Sequence, residues 1–293
     1  MLNYYTPFPR YENAIFVGDT ATEALAALNI HARGLIGGDI PSMEVLHPAE
    51  KMLECTSCAL RNRPQILDAA ARRINADYIL LEENGLSSLN PAVLKTPLEE
   101  EGFSVRVLDV RGDAMTIVER AAALYGEEAR KHAARVRRDY ETRLGRVDAT
   151  PKLPNLPVLV LLGVRHPVED AVYCFAATKH SDITCDVLER IGCVNSLEAP
   201  ETKESVTGMI ALDTENLTEL LDSSTPAVIA LCGDSSAAME YVQSAFRRMR
   251  NASADHSSQR APVCLPLPWY CRPMGWRLPR MLEIWMRSLR AVI

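Results

Sequence analysis

The densest group of side chains suited to ligand binding lies in the loop over residues 265–276, which reads LPLPWYCRPMGW. Trp269, Tyr270 and Arg272 stand almost side by side there. Aromatic rings stack on flat ring systems, and a guanidinium pairs with carboxylates. The loop is a candidate surface for a flat, acidic macrocycle. The alternative is that its tryptophans and prolines pack against their own domain.

A second group follows the apolar run at residues 158–163. Arg165 could pair with an acidic ligand, and His166 could be an axial ligand to iron or cobalt. Tyr173 is a candidate because a phenolate binds ferric iron. Loop residues of these types are also commonly only solvated, and that alternative stays open.

Cys55 and Cys58 form a C-x-x-C pair with no second pair at a zinc-site spacing, which disfavours a structural zinc. The pair could be redox-active, form a small disulfide, or contribute two ligands to a metal or ligand site; Cys55 and Cys58 are therefore candidate metal ligands. The six histidines show no paired spacing on one helix face, so a chelated metal is favoured over a bare ion. The sequence also lacks the phosphate-loop, dinucleotide, nucleophile-elbow and zinc-protease motifs, so we expect no enzyme.

The elements that would position these residues alternate between strands and helices in both halves of the chain. Apolar strand patterns at residues 13–18, 77–81, 158–163 and 227–232 each precede a turn or helix. Ligands of such sheets lie at the carboxyl ends of the strands, which makes the turn residues Thr20, Gly38 and Asp39 candidates. Residues 113–145 have the composition of one long helix, and 148–157 that of a linker. We therefore predict an α/β lobe at 1–112, an interlobe helix at 113–147 and a second α/β lobe at 148–293.

Composition excludes several classes of protein. The chain has 293 residues, with 32 Lys and Arg against 38 Asp and Glu, a net charge of −6 that argues against nucleic acid as partner. No apolar run has the length of a transmembrane helix, and eight cysteines are too dilute for a disulfide scaffold. The first ten residues lack the pattern of a secretory signal. We expect an extracytoplasmic protein if an export signal was removed, and a cytoplasmic one if Met1 is the native start.

The order of four segments resembles the helical-backbone (class III) substrate-binding proteins of ABC transporters, which capture iron siderophores, haem or vitamin B12. The segments look like the family's first strand and helix, its next helix-strand element, its interlobe helix and a motif of its second lobe. They read AIFVGDTATEALAAL, ILDAAARRINADYILL, TIVERAAALYGEEARKHAARVRRDYETRL and DVLERIGCVNSL.

The resemblance implies two Rossmann-like lobes, a metal chelate bound in the cleft between them, no required cofactor, and a monomer that docks on an ABC permease. The family presents one acidic residue from each lobe to its transporter. Glu23 or Asp68 in the first lobe, and Glu215 or Glu219 in the second, stand nearest that pattern. The competing interpretation is a cytoplasmic chelatase-like or cluster-binding protein that uses Cys55 and Cys58.

Overall fold

The computed structural model describes residues 9–37, 50–61, 65–86, 89–165, 171–181, 183–197, 208–252, 261–268 and 275–293. The chain divides into two compact units. The first comprises Met1–Thr142 and Tyr270–Arg277, and the second comprises Arg143–Trp269 and Leu278–Ile293. The predicted fold class, two α/β units with parallel strand pairing joined by a long helix, is confirmed, with the differences given below.

The described part of the first unit is a parallel sheet covered by helices on both faces. Its strands are β1 (Arg10–Val17), β2 (Ile30–Gly37), β3 (Lys51–Cys55), β4 (Tyr78–Glu83) and β5 (Val105–Asp109). Its helices are α1 (Asp19–Ala27), α2 (Thr56–Arg61), α3 (Gln65–Ile74), α4 (Lys95–Glu100) and α5 (Ala114–Ala123), with a 3-10 turn at Pro91–Leu94. The strands stand in the order β3-β2-β1-β4-β5.

Burial on both faces explains the apolar character of the central strand β1. Ala14 and Phe16 pack into one core cluster, which includes residues of α1 and α5. Ile15 and Val17 pack into the other, with residues of α2, α3 and α4. Because successive strand residues point to opposite faces, the half of β1 that lies between the two helical layers, residues 14–17, is apolar at every position.

Residues 113–149 form two helices instead of the single helix predicted over 113–145. Asp113 caps α5 by accepting hydrogen bonds from the backbone N–H groups of Met115 and Thr116. Gly126 has φ +88°, a left-handed conformation that a helix interior does not permit. Helix α6 (Glu127–Ala149) then runs uninterrupted for 23 residues, about 34 Å. The boundary between the units lies within α6, between Thr142 and Arg143.

The second unit contains a mixed sheet, which corrects the expectation of a purely parallel one. Its strands are β6 (Leu156–Arg165), β7 (Val172–Ala177), β8 (Cys193–Asn195), β9 (Met209–Leu212), β10 (Val228–Gly233) and β11 (Val263–Pro266). The strands stand in the order β11-β10-β6-β7-β9, and β8 also pairs with β6. Strand β7 is antiparallel to both of its neighbours, β6 and β9.

Helices cover this second sheet as well. A π-helix at Ile183–Leu188 runs into α7 (Glu189–Ile191), and α8 (Thr214–Ser224), α9 (Ser235–Ala252) and α10 (Leu278–Arg290) follow. In the described ranges, no helix combines the length and the apolar character that crossing a membrane requires. The longest helix, α6, carries charged side chains along its whole length.

Several cysteines of the second unit are core residues. Burial raises the pKa of the Cys174 and Cys193 thiols to about 12 and raises that of Cys232 as well. Since the thiolate is the reactive form, these side chains behave as small apolar groups.

We expect iodoacetamide to modify Cys174, Cys193 and Cys232 in the native protein at least about a hundredfold more slowly than the exposed Cys185. Mass spectrometry of labelled peptides at successive times measures each rate. Labelling of Cys232 as fast as Cys185 would contradict the packing described here, and denaturant should remove the difference.

Candidate functional site

The strand order of the first sheet reverses between β1 and β4, and open α/β sheets bind ligands at the carboxyl ends of such a strand pair. Strand β1 ends at Val17, Gly18 makes the turn, and α1 begins at Asp19. Strand β4 brings Glu82 to the same place, where its Oε2 accepts a hydrogen bond of 3.0 Å from the Ala21 backbone N–H. A buried carboxyl group therefore occupies the amino end of α1.

Glu82 is 7% exposed, and burial raises its pKa to about 7. The nearby Asp19 raises this pKa further, whereas the Ala21 and Thr20 N–H groups oppose the rise. Gly18 makes the contact possible, because it has φ +116° and a Cβ there would lie 2.4 Å from the Glu82 Cβ. Glu82 thus exchanges a proton near neutral pH at the carboxyl edge of the sheet.

Three positions at this edge were predicted from the sequence, and the structure describes one of them, Thr20. Thr20 lies half-buried in the first turn of α1, beside Glu82, and its contact with a ligand stays a prediction. Gly37 ends β2 against Asp19, whose Oδ1 would lie 2.1 Å from a Cβ at Gly37. Gly38 and Asp39 lie outside the described residues.

The cysteine pair lies at the carboxyl end of β3. Cys55 is the last residue of the strand and is half-buried, and its backbone N–H donates to the Glu54 carboxylate at 3.0 Å. The Cys58 side chain is outside the described part of the chain. No group of three or more His, Cys, Asp or Glu arranged to hold a metal occurs among the described residues. The metal role of Cys55 and Cys58 stays a prediction.

In the second unit, the carboxyl ends of β6 and β10 lie side by side. Arg165 ends β6 and bonds two carboxylates, Asp234 at 3.2 Å and Glu240 at 2.7 Å. The contact of Arg165 with an acidic ligand stays a prediction, and such a ligand would have to compete with these two carboxylates.

Asp234 also binds the first turn of helix α9. Its Oδ1 accepts hydrogen bonds from the Ala237 N–H at 2.9 Å and the Ser236 hydroxyl at 2.8 Å, and so it caps α9. These bonds, the Ala237 N–H first, lower the pKa of Asp234. Gly163 is required beneath it, since a Cβ there would lie 2.1 Å from the Asp234 carbonyl oxygen.

Tyr173 is the sequence-predicted residue of this edge that remains open to a ligand. It lies opposite Val164 where β6 and β7 pair, next to the Arg165 position, and is 43% exposed. Tyr241 steadies the strand by donating its hydroxyl to the Val172 carbonyl at 2.9 Å. The other predicted ligand contacts of this unit lie outside the described residues: His166, Trp269, Tyr270 and Arg272.

The acidic residues predicted to dock on a transporter differ in exposure. Glu23 is 3% exposed and accepts hydrogen bonds from Trp276 Nε1 at 3.1 Å and Arg277 Nε at 2.8 Å. A carboxylate buried by these contacts is not available to dock on another protein. The predicted docking role of Glu23 is therefore wrong, and Glu23 is an internal anchor of the first unit. Glu215 and Glu219 are exposed to solvent and Asp68 is half-buried, and Asp68 and Glu215 pair with Arg72 and Arg248.

Sequence reasoning passed over the roles of Glu82 and Asp234. Glu82 is the last residue but one of β4 and Asp234 directly follows β10, and this position at the end of a buried strand is the signal that could have selected them. The contact of Glu82 with Ala21 and that of Asp234 with Arg165 join residues far apart in the chain and cannot be read from local sequence.

Comparison with known proteins gives matches in structure alone. No family model matches the sequence, and no curated protein matches it. The periplasmic heme-binding protein BhuT, solved with two hemes, aligns with TM-score 0.60 and 15% identity over 96% of this chain and 99% of that one. The periplasmic heme-binding protein RhuT from Roseiflexus sp. RS-1 aligns with TM-score 0.61 and 12% identity over 96% and 99%.

The vitamin B12-binding protein BtuF of Vibrio cholerae aligns with TM-score 0.51 and 14% identity over 98% of this chain and 99% of that one. These alignments cover almost the whole of each chain. They show that the chain has the fold of periplasmic binding proteins, and they confirm for the fold the resemblance that the four sequence segments indicated.

Proposed function

We propose that this chain is a substrate-binding protein that captures a metal chelate and delivers it to an ABC importer outside the cytoplasm. The ligand classes are haem, cobalamin and ferric siderophores, the chain performs no chemistry on them, and its partner is the permease. The observation that carries the proposal is the full-length structural likeness to haem-binding and vitamin B12-binding proteins. The cytoplasmic chelatase-like alternative is not favoured, since those structures are binding proteins.

Within this proposal, Tyr173 is the described residue best suited to contact the ligand, because its phenol is exposed at the carboxyl edge of the second sheet. Trp269, Tyr270 and Arg272 are proposed to stack on the ligand and pair with it. Asp68 in the first unit, and Glu215 or Glu219 in the second, are proposed to contact the transporter.

Titration with haemin, cyanocobalamin and a ferric siderophore tests the capture function. We expect one of the three to bind with at least micromolar affinity, seen as a shifted ligand absorbance band and quenched tryptophan fluorescence. Absence of binding by all three would refute the proposed class of ligand.

If haemin is the ligand, Tyr173→Phe should weaken binding about tenfold and change the iron absorbance, because it removes a possible iron ligand. Tyr11→Phe is the matched control, since Tyr11 is also an exposed phenol but belongs to the first unit. Equal affinity in the Tyr173 variant and the wild type would remove Tyr173 from the site and leave the capture function standing.

A further inference from the structure

A cavity of about 380 Å³ lies within the second unit, between α6 and α10. Its lining consists of Arg143, Arg280, Glu283, Ile284 and Arg287. Three guanidinium groups therefore face one carboxylate and one aliphatic side chain. The excess of positive charge is unusual in a chain whose net charge is −6.

Ion pairs among the lining residues neutralise only part of this positive charge. Glu283 already accepts a hydrogen bond from Arg143 at 3.2 Å. Arg280 and Arg287 are exposed, and neither makes an ion pair with any other described residue. Two guanidinium groups thus remain for an anion from outside.

The helix that carries these arginines is held rigidly. The lining residues of α10 recur at the spacing of one helical face. The opposite face is buried, and its Trp285 donates Nε1–H to the Pro268 carbonyl at 2.8 Å. Seven residues separate Arg280 from Arg287, about 10 Å along the helix axis. Two anionic groups of one ligand could therefore be held at once.

The geometry points to a binding site for a compact polyanion with phosphate groups in this cavity. Guanidinium forks match phosphate oxygens in pairs, and the lining offers only Ile284 to an apolar ligand. The phosphates could belong to a free polyphosphate ester or to the headgroups of anionic lipids. This site is independent of the proposed capture function, because it uses none of the residues at the carboxyl edges of the sheets.

The test measures binding of tripolyphosphate by calorimetry and binding to vesicles by sedimentation. One set of vesicles contains phosphatidylcholine alone, and the other equal parts of phosphatidylcholine and phosphatidylglycerol. We expect the wild-type protein to bind tripolyphosphate or the anionic vesicles, with an affinity that falls as salt is added. Binding of tripolyphosphate assigns a free ligand, and binding of anionic vesicles alone assigns lipid headgroups.

Arg280→Gln with Arg287→Gln should weaken this binding at least tenfold. The control removes two exposed arginines outside the cavity, Arg135→Gln with Arg138→Gln, and should stay within about twofold of the wild type. Glu283→Gln should tighten binding several-fold, because it removes the one carboxylate of the cavity. General damage to the fold would not produce that gain.

Three results would overturn the site. They are no binding of tripolyphosphate or anionic vesicles by the wild type, an equal loss in the control, and unchanged binding in the double variant. Haemin or cobalamin binding measured on the same variants should not change, which separates a failure here from a failure of the capture function.

Discussion

Replacing Arg277 by methionine is expected to lower the free energy of unfolding by about 3 kcal/mol, because it leaves the Glu23 carboxylate buried without its cationic partner. Glu23 is 3% exposed, and the Arg277 side chain is 22% exposed. The hydrogen bond from the neutral Trp276 Nε1 does not supply a charge that balances the carboxylate. Urea unfolding measures the loss. We expect a lower urea concentration at the midpoint and an unchanged dependence of the unfolding free energy on urea concentration.

A double variant identifies the cause. Glu23→Gln with Arg277→Met removes both charges and should recover at least half of the loss, since no unpaired charge is left buried. Lys131→Met is the matched control for an exposed pair with Glu128, and should leave the urea midpoint within experimental error of the wild type. If the single Arg277 variant is as stable as the control, Glu23 is not an internal anchor.

Replacing Glu82 by glutamine is expected to stabilise the protein at pH 8 by up to about 3 kcal/mol. The folded-state pKa of Glu82 is about 7, above its ordinary value of 4.5. Between these two values the folded state binds more protons than the unfolded state, so its stability falls as the pH rises. Above about pH 7 the charged carboxylate is buried and the cost is fully present.

Unfolding free energies at intervals from pH 4 to pH 8 test this result. The wild type should lose stability across that range relative to Glu82→Gln, whose amide stays neutral and can still accept from the Ala21 N–H. Glu100→Gln makes the same chemical change at an exposed position and should leave the pH profile unaltered. Parallel profiles for the wild type and the Glu82 variant would show that Glu82 titrates normally.

Much of the fold could be predicted because its strongest signals are local. The central strands β1 and β6 are apolar at successive positions, and each leads to a turn and a change of periodicity. The break at Gly126 was not predicted. The residues on both sides of it favour a helix, and one glycine lowers the average helical propensity of the segment only slightly. The antiparallel direction of β7 was not predicted either, because six residues carry no local signal of strand direction.

The sites were predicted less well, since their chemistry depends on distant partners. Arg165 looked available in the sequence, but its two carboxylate partners lie 69 and 75 residues away. Glu23 looked like an exposed helix acid, but Trp276, 253 residues away, covers it. Residue type and spacing directed the prediction to the carboxyl edges of the sheets, whereas the charge balance at each position depends on tertiary contacts that the sequence does not display.

The place of Trp276 and Arg277 in the first unit has a consequence for biosynthesis. Thr142 leaves the ribosome long before these two residues are made, and the intervening stretch supplies most of the second unit. Roughly 130 residues at roughly 5–20 per second amount to some ten seconds of translation. During that interval the hydrogen bonds from Trp276 Nε1 and Arg277 Nε to Glu23 cannot form on the nascent chain, so the first unit reaches its final stability only after residues 276 and 277 have been made.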